Sequence, residues 1–294
     1  MSHVWKTTDW VHFTNIRSSV NFVLTGMSSN GQHISSWWAP GLLYAPGLNQ
    51  YVMWVSVPDV LGTNTAANGW DTRSIAALTS PNPDGPWTYQ GIAVKAGAVG
   101  EHYIDPFLFR DHDGDHYAFW KQYGGSIGSH IQGAKVSNDW TSATMSTQIE
   151  LVAGYGGTGT WEGNVRENPA VWYDPATGHH HLLFSGGAWR DGTYGTGHAE
   201  STCGPLCTGA QGWRLTNSGN RSVVQVVQSN GDPNFTNGGP GGAVFLDDNA
   251  TDIIYAAAAQ SASGDSTRYL MRDHVDWAND APYVNTAHHW PEGL

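Results

Sequence analysis

Two carboxylates stand in look-alike surroundings in this chain. Asp105 lies in Tyr103-Ile-Asp-Pro-Phe107, and Glu167 in Val165-Arg-Glu-Asn-Pro-Ala170. Each sits at the start of a short apolar stretch, and the two stretches are successive copies of one pattern, so both side chains are expected to occupy equivalent slots. Two carboxyl groups held several ångströms apart around a pocket are the minimum equipment for breaking a glycosidic bond, one protonating the leaving oxygen. Taken alone, Asp105 reads equally well as a strand-entry residue ahead of a proline. Repetition of the slot favours the chemical reading. Glu162, in Thr160-Trp-Glu-Gly-Asn164, competes with Glu167 for the acid role, but it precedes the strand by several residues and is expected on a rim loop.

The elements that must position these groups are four versions of one hairpin. They are Ala39-Pro-Gly-Leu-Leu-Tyr with Gln50-Tyr-Val-Met-Trp, Asp105-Pro-Phe-Leu-Phe with His116-Tyr-Ala-Phe-Trp, Asn168-Pro-Ala-Val-Trp with His180-His-Leu-Leu-Phe, and Gly241-Gly-Ala-Val-Phe with Ile253-Ile-Tyr-Ala-Ala. Pro106 follows Pro40 by 66 residues, and Pro169 follows Pro106 by 63. A third strand and a Trp-bearing fourth complete each module, at Trp87, Trp140, Trp213 and Trp277. Repeats of this size, with several strands each, are the signature of a β-propeller. The N-terminal Val4-to-Trp10 stretch matches only the second half of a module. The expectation is therefore a single all-β domain over residues 1–294, a five-bladed β-propeller with an incomplete first blade. Residues 1–14 would be the remnant of that blade, and about 37–90, 104–151, 161–216 and 238–285 the full blades. The competing all-β architecture is a sandwich whose hairpins resemble one another by chance.

Composition agrees with a rigid, turn-rich scaffold. Charged residues are 13%, against about 25% in an average domain, while Gly numbers 37 and Trp 15. A formal charge of −12 argues against nucleic acid, whose affinity rests on basic side chains, and against an anionic membrane surface. A neutral saccharide or another small polar molecule suits it, bound by a monomer. No apolar run approaches the ~20 residues of a membrane span, and Met1-Ser-His-Val-Trp carries no signal peptide. Cys203 and Cys207, with three residues between them in a Gly-Pro turn, suit a local disulfide and hence an oxidising, extracellular setting. They are too few for a zinc site.

Other clusters read as structure. Asp111-His-Asp-Gly-Asp115 looks like half a calcium loop, but it falls where a hairpin must turn, and Asp-Gly is a preferred turn dipeptide. His179, His180 and His181 alternate across a strand and cannot jointly hold one ion. The expectation is thus no metal and no cofactor.

At these residues the chain resembles glycoside hydrolase family 43. Trp38-Ala-Pro, Ile104-Asp-Pro with Asp113-Gly-Asp-His-Tyr, and Glu167-Asn-Pro-Ala are similar to its strand motifs in order and spacing. Tyr194-Gly-Thr-Gly-His-Ala and Gly239-Pro-Gly-Gly-Ala resemble its later blades, so the likeness covers essentially the whole chain. It implies a five-bladed propeller that hydrolyses arabinose- or xylose-containing glycans with inversion. Glu167 would then be the general acid, and Asp105 would tune and orient it. Trp38, Trp120 and Tyr194 would contact the sugar.

One departure bears on activity. The family's general base is an Asp in an Ala-Asp-Pro-like first strand, and this sequence offers no such segment. Asp9 falls in the Thr-Asp-Trp outer-strand segment and is not carried across. Nor does Gly239-Pro-Gly-Gly hold the His that many members place near the pore. Two alternatives follow: a propeller that binds saccharide without cleaving it, or one recruited to small-molecule cyclisation.

Overall fold

Alternation governs this molecule. In the second strand of each hairpin successive residues point to opposite faces, and both faces are apolar, so these strands must be covered on both sides. A computed structural model describes residues 4–8, 12–17, 37–58, 72–98, 100–124, 128–152, 161–188, 193–209, 212–216, 225–227, 238–246, 250–260, 266–278 and 281–284. Among the described residues every regular element is a β-strand, apart from two single-turn 3₁₀ helices.

Short strands β1 (Val4–Lys6) and β2 (Thr14–Arg17) pair with each other. Four larger antiparallel units follow. The first comprises β3 (Trp38–Ala45), β4 (Gln50–Pro58), β5 (Arg73–Ser80) and β6 (Thr88–Val94), and the second β7 (His102–Arg110), β8 (His116–Tyr123), β9 (Ser129–Lys135) and β10 (Ile149–Glu150). The third has β11 (Glu167–Asp174), β12 (His179–Gly186) and β13 (Gly195–Ser201), with β14 (Arg214–Leu215) and β15 (Gln225–Val227) both on β13. The fourth is β16 (Gly238–Phe245), β17 (Asp252–Gln260), β18 (Ser266–Ala278) and β19 (Ala281–Val284). One parallel pairing, Arg73 with His102, links the first two units. The described residues include no helix long and apolar enough to cross a membrane.

The units stack face to face like propeller blades. Val52, Trp54, Ala118, Trp120 and Trp140 fill the core between the first and second. Tyr117 and Phe119, on the opposite face of β8, meet Val171, Leu182, Phe184 and Trp213 between the second and third. Ala170, Leu183, Ile253 and Tyr255 join the third to the fourth. The module tryptophans also make hydrogen bonds: the Trp54 indole donates to the Trp140 carbonyl at 2.8 Å and Trp213 to that of Pro205 at 2.9 Å. At this packing the first strands β3, β7, β11 and β16 touch in sequence order. The carbonyl of Pro106 comes so near β3 that a methyl at Gly41 would lie 2.0 Å from it.

One irregularity recurs at the head of every unit. Pairing skips two residues between Trp38 and Gly41, Ile104 and Phe107, Glu167 and Ala170, and Gly238 and Gly241. These are β-bulges, which re-aim side chains at rims and sites. Within them Ala39 (φ 46°), Asp105 (φ 55°) and Asn168 (φ 50°) adopt left-handed backbone immediately before a proline. Such a conformation is uncommon outside Gly, though Asp and Asn tolerate it best. The equivalent of Asp105 in the next blade is therefore Asn168. Glu167 instead matches Ile104 and Trp38, one residue earlier.

Trp120 does not face a ligand. It is fully buried in the core between the first two units. Period-two alternation sends its neighbour, Lys121, toward the third unit, where Lys121 meets Glu167. Trp120→Phe should accordingly lower stability by roughly 1–3 kcal/mol and leave the KM for glycan unchanged. Denaturant unfolding and steady-state kinetics on the same preparation check both halves.

Candidate active site

The bulges bring Asp105 and Glu167 into one hydrogen-bonded network. The Asn168 backbone N–H donates to Asp105 Oδ2 at 3.2 Å, which ties the left-handed turn of one blade to that of the next. Glu167 receives two donors. Lys121 Nζ donates to its Oε2 at 2.5 Å, and the Tyr194 hydroxyl donates to its Oε1 at 2.6 Å. The Asn168 side-chain amide in turn donates to the Tyr194 oxygen at 3.0 Å. The Glu167 side chain is 13% exposed, so a ligand can reach the carboxylate although most of its solvent shell is replaced by protein.

Tyr194 holds the carboxylate; it does not present an open ring face. It is buried, and its phenol is pushed well above the ordinary tyrosine range, first by that burial and then by the charges of Glu167 and, more weakly, Asp105. It therefore remains a donor at any working pH. Its ring fits because Gly241 opposes it: an added methyl there would lie 2.1 Å from Tyr194 Cε1. Gly241→Ala should displace the ring and lower kcat by about tenfold or more, since displacement by ~1 Å can cost 10²-fold in a positioned site. Tyr194→Phe should fall by a similar factor, and a large loss in the first variant beside none in the second would exclude this linkage.

Trp38 is the one sequence-chosen aromatic with a substantial free surface, at 46% exposure. It occupies in its hairpin the position that Glu167 holds in its own, and the Arg73 guanidinium lies 5.4 Å from its ring centroid. An exposed indole at the head of an inner strand makes a flat apolar platform of the kind sugar rings stack on. Tyr123 is also exposed, with Lys121 Nζ 5.8 Å from its ring centroid and His102 edge-on to it.

Glu162 is placed elsewhere. It is buried, its Oε1 paired with Arg166 at 3.1 Å, while Arg166 also donates to the Val152 carbonyl at 2.9 Å. A carboxylate committed to a buried guanidinium is a structural anchor. Asp9 lies outside the described residues. Lys121 escaped the sequence reading, although the alternation that buries Trp120 predicts that the next residue faces the third unit.

Comparisons with known proteins bear on the fold and the family. The family described as "Glycosyl hydrolases family 43" matches residues 2–282. A thermostable family-43 glycoside hydrolase is similar in structure, with TM-score 0.69, 19% identity and coverage of 99% of this chain and 87% of that one. An arabinanase from Bacillus subtilis gives 0.66 at 20% identity, covering 96% of this chain and 88% of that one. An alpha-L-arabinofuranosidase from Lactobacillus brevis gives 0.62 at 24%, covering 85% and 75%. No curated protein matches the chain. The propeller fold is shared with these structures, and the match over nearly its full length shows that the chain belongs to glycoside hydrolase family 43.

Proposed function

We propose that this glycoside hydrolase cleaves arabinosyl or xylosyl linkages of plant polysaccharides by an inverting mechanism, with Glu167 as the general acid. The observation that carries the reading is the accessible Glu167 carboxyl group, fixed by Lys121 and Tyr194 and tied through Asn168 to Asp105. In its protonated form Glu167 delivers a proton to the departing glycosidic oxygen while that C–O bond breaks. Asp105 anchors the adjoining backbone by accepting the Asn168 N–H. Trp38 forms part of the sugar platform. The similar structures supporting this substrate class include those of an arabinanase, an arabinofuranosidase and an endo-1,4-beta-xylanase.

A five-blade count, with the β1–β2 pair as the remainder of the first blade, goes with this reading. So does an extracellular monomer: Cys203 and Cys207 are bridged, which suits an oxidising compartment. A second reading is saccharide binding without cleavage, which would use the exposed Trp38 platform but no general base.

The test is proton NMR of products released from arabino- and xylo-oligosaccharides. Initial formation of the inverted anomer supports the proposal. Retention, or cleavage confined to other linkages, contradicts it. Binding without any product selects the second reading.

A further inference from the structure

The hairpin that carries Asp105 at its head carries a second constellation at its other end. Six residues of extended chain at ~3.3 Å each put Asp111 roughly 20 Å from Asp105. There Asp111 Oδ1 lies 2.9 Å from His112 Nδ1 and 2.9 Å from His180 Nε2, and the three donor atoms all fall within 4.8 Å of one another. His180 reaches across from the neighbouring blade, 69 residues along the chain.

The three groups are held in place without help from an ion. The turn is closed by Asp111 N–H to the Asp115 carbonyl at 2.9 Å and Gly114 N–H to the Asp111 carbonyl at 3.0 Å. Tyr173 stacks flat on His112, with centroids 3.9 Å apart and planes 7° apart. Phe109 sets its edge against His180 at 6.0 Å. Asp111 and His180 are buried, while His112 is half-exposed and opens the site to solvent.

We infer that Asp111, His112 and His180 form a binding site for a first-row divalent transition metal, with zinc(II) the reference ion, on the side of the propeller away from the carboxylate pair. Two imidazoles and one carboxylate are the donor set such ions prefer, and water from the open side completes the shell. Calcium, which takes six to eight oxygens, does not suit it. Binding moves the N–H of each imidazole to its other ring nitrogen. For His180 that nitrogen, Nδ1, is buried and has no partner among the described residues, so its N–H is left unpaired there, a cost that the metal bonds must offset. His179 and His181 take no part: His179 pairs with Glu200 and His181 with His198.

Isothermal titration of chelator-treated full chain, free of any polyhistidine tag, with zinc(II) and no glycan tests the site independently of hydrolysis. One equivalent should bind, and His112→Ala should weaken it by at least about tenfold. Because His112 is half-exposed, that variant should retain the wild-type circular dichroism. Asp111→Asn provides a second variant, and cobalt(II) absorption should report low coordination in the wild type only. Absence of saturable binding overturns the inference, as does stoichiometric binding that both variants preserve, since the chain has 14 histidines that could supply it.

Discussion

Glu167→Gln should lower turnover of natural arabinosyl or xylosyl oligosaccharides by about 10³-fold, within the range for loss of a general acid. Aryl glycosides with good leaving groups should lose far less, because their phenolates depart without a proton. The amide is nearly isosteric and its oxygen can still accept from Lys121 or Tyr194, so the network and the fold should survive. A uniform loss across both substrate types would mean that the residue positions substrate or acts in another step. Wild-type rates on natural glycans would remove Glu167 from the chemistry, and the buried Glu162–Arg166 pair leaves Glu162 a poor successor.

Asp105→Asn should lower kcat/KM on natural substrates by on the order of 10²-fold while changing stability little. The amide keeps an oxygen to accept the Asn168 N–H, and Asn tolerates the left-handed φ of 55° that Asp105 adopts. The negative charge and one acceptor oxygen are lost. Asp105→Ala removes the acceptor as well and forces a Cβ-bearing residue without local hydrogen bonding into that backbone, at a cost of about 1–2 kcal/mol. Kinetics and chemical denaturation of the pair therefore separate electrostatics from anchoring. If Asp105→Asn retains full activity and Asp105→Ala loses it, the residue is an anchor alone.

The contrast between what the sequence revealed and what it hid follows from the range of the interactions. The hairpins were legible because their strands are local and their proline spacing repeats. The matching of Asp105 with Glu167 was one residue out. Aligning on the prolines pairs Asp105 with Asn168 and Ala39, the three left-handed positions, and shows Glu167 one step earlier in the bulge. Trp120 looked like a pocket wall because an aromatic at the far end of a strand carries no sign of which face it takes. Its alternation with Phe119 and Lys121 decides that, once Phe119 is known to enter the next core. The pairing of His180 with Asp111 was hidden altogether, since it joins separate modules through packing that no local pattern encodes.

The most direct measurement is a crystal structure of the Glu167→Gln protein with an uncleaved arabino- or xylo-oligosaccharide. The account predicts a glycosidic oxygen within hydrogen-bond reach of residue 167, ~2.6–3.2 Å, with a sugar ring lying over Trp38. An oligosaccharide bound away from Glu167 and Asp105, for instance on an outer blade face, would contradict the assignment of this carboxylate pair as the catalytic centre.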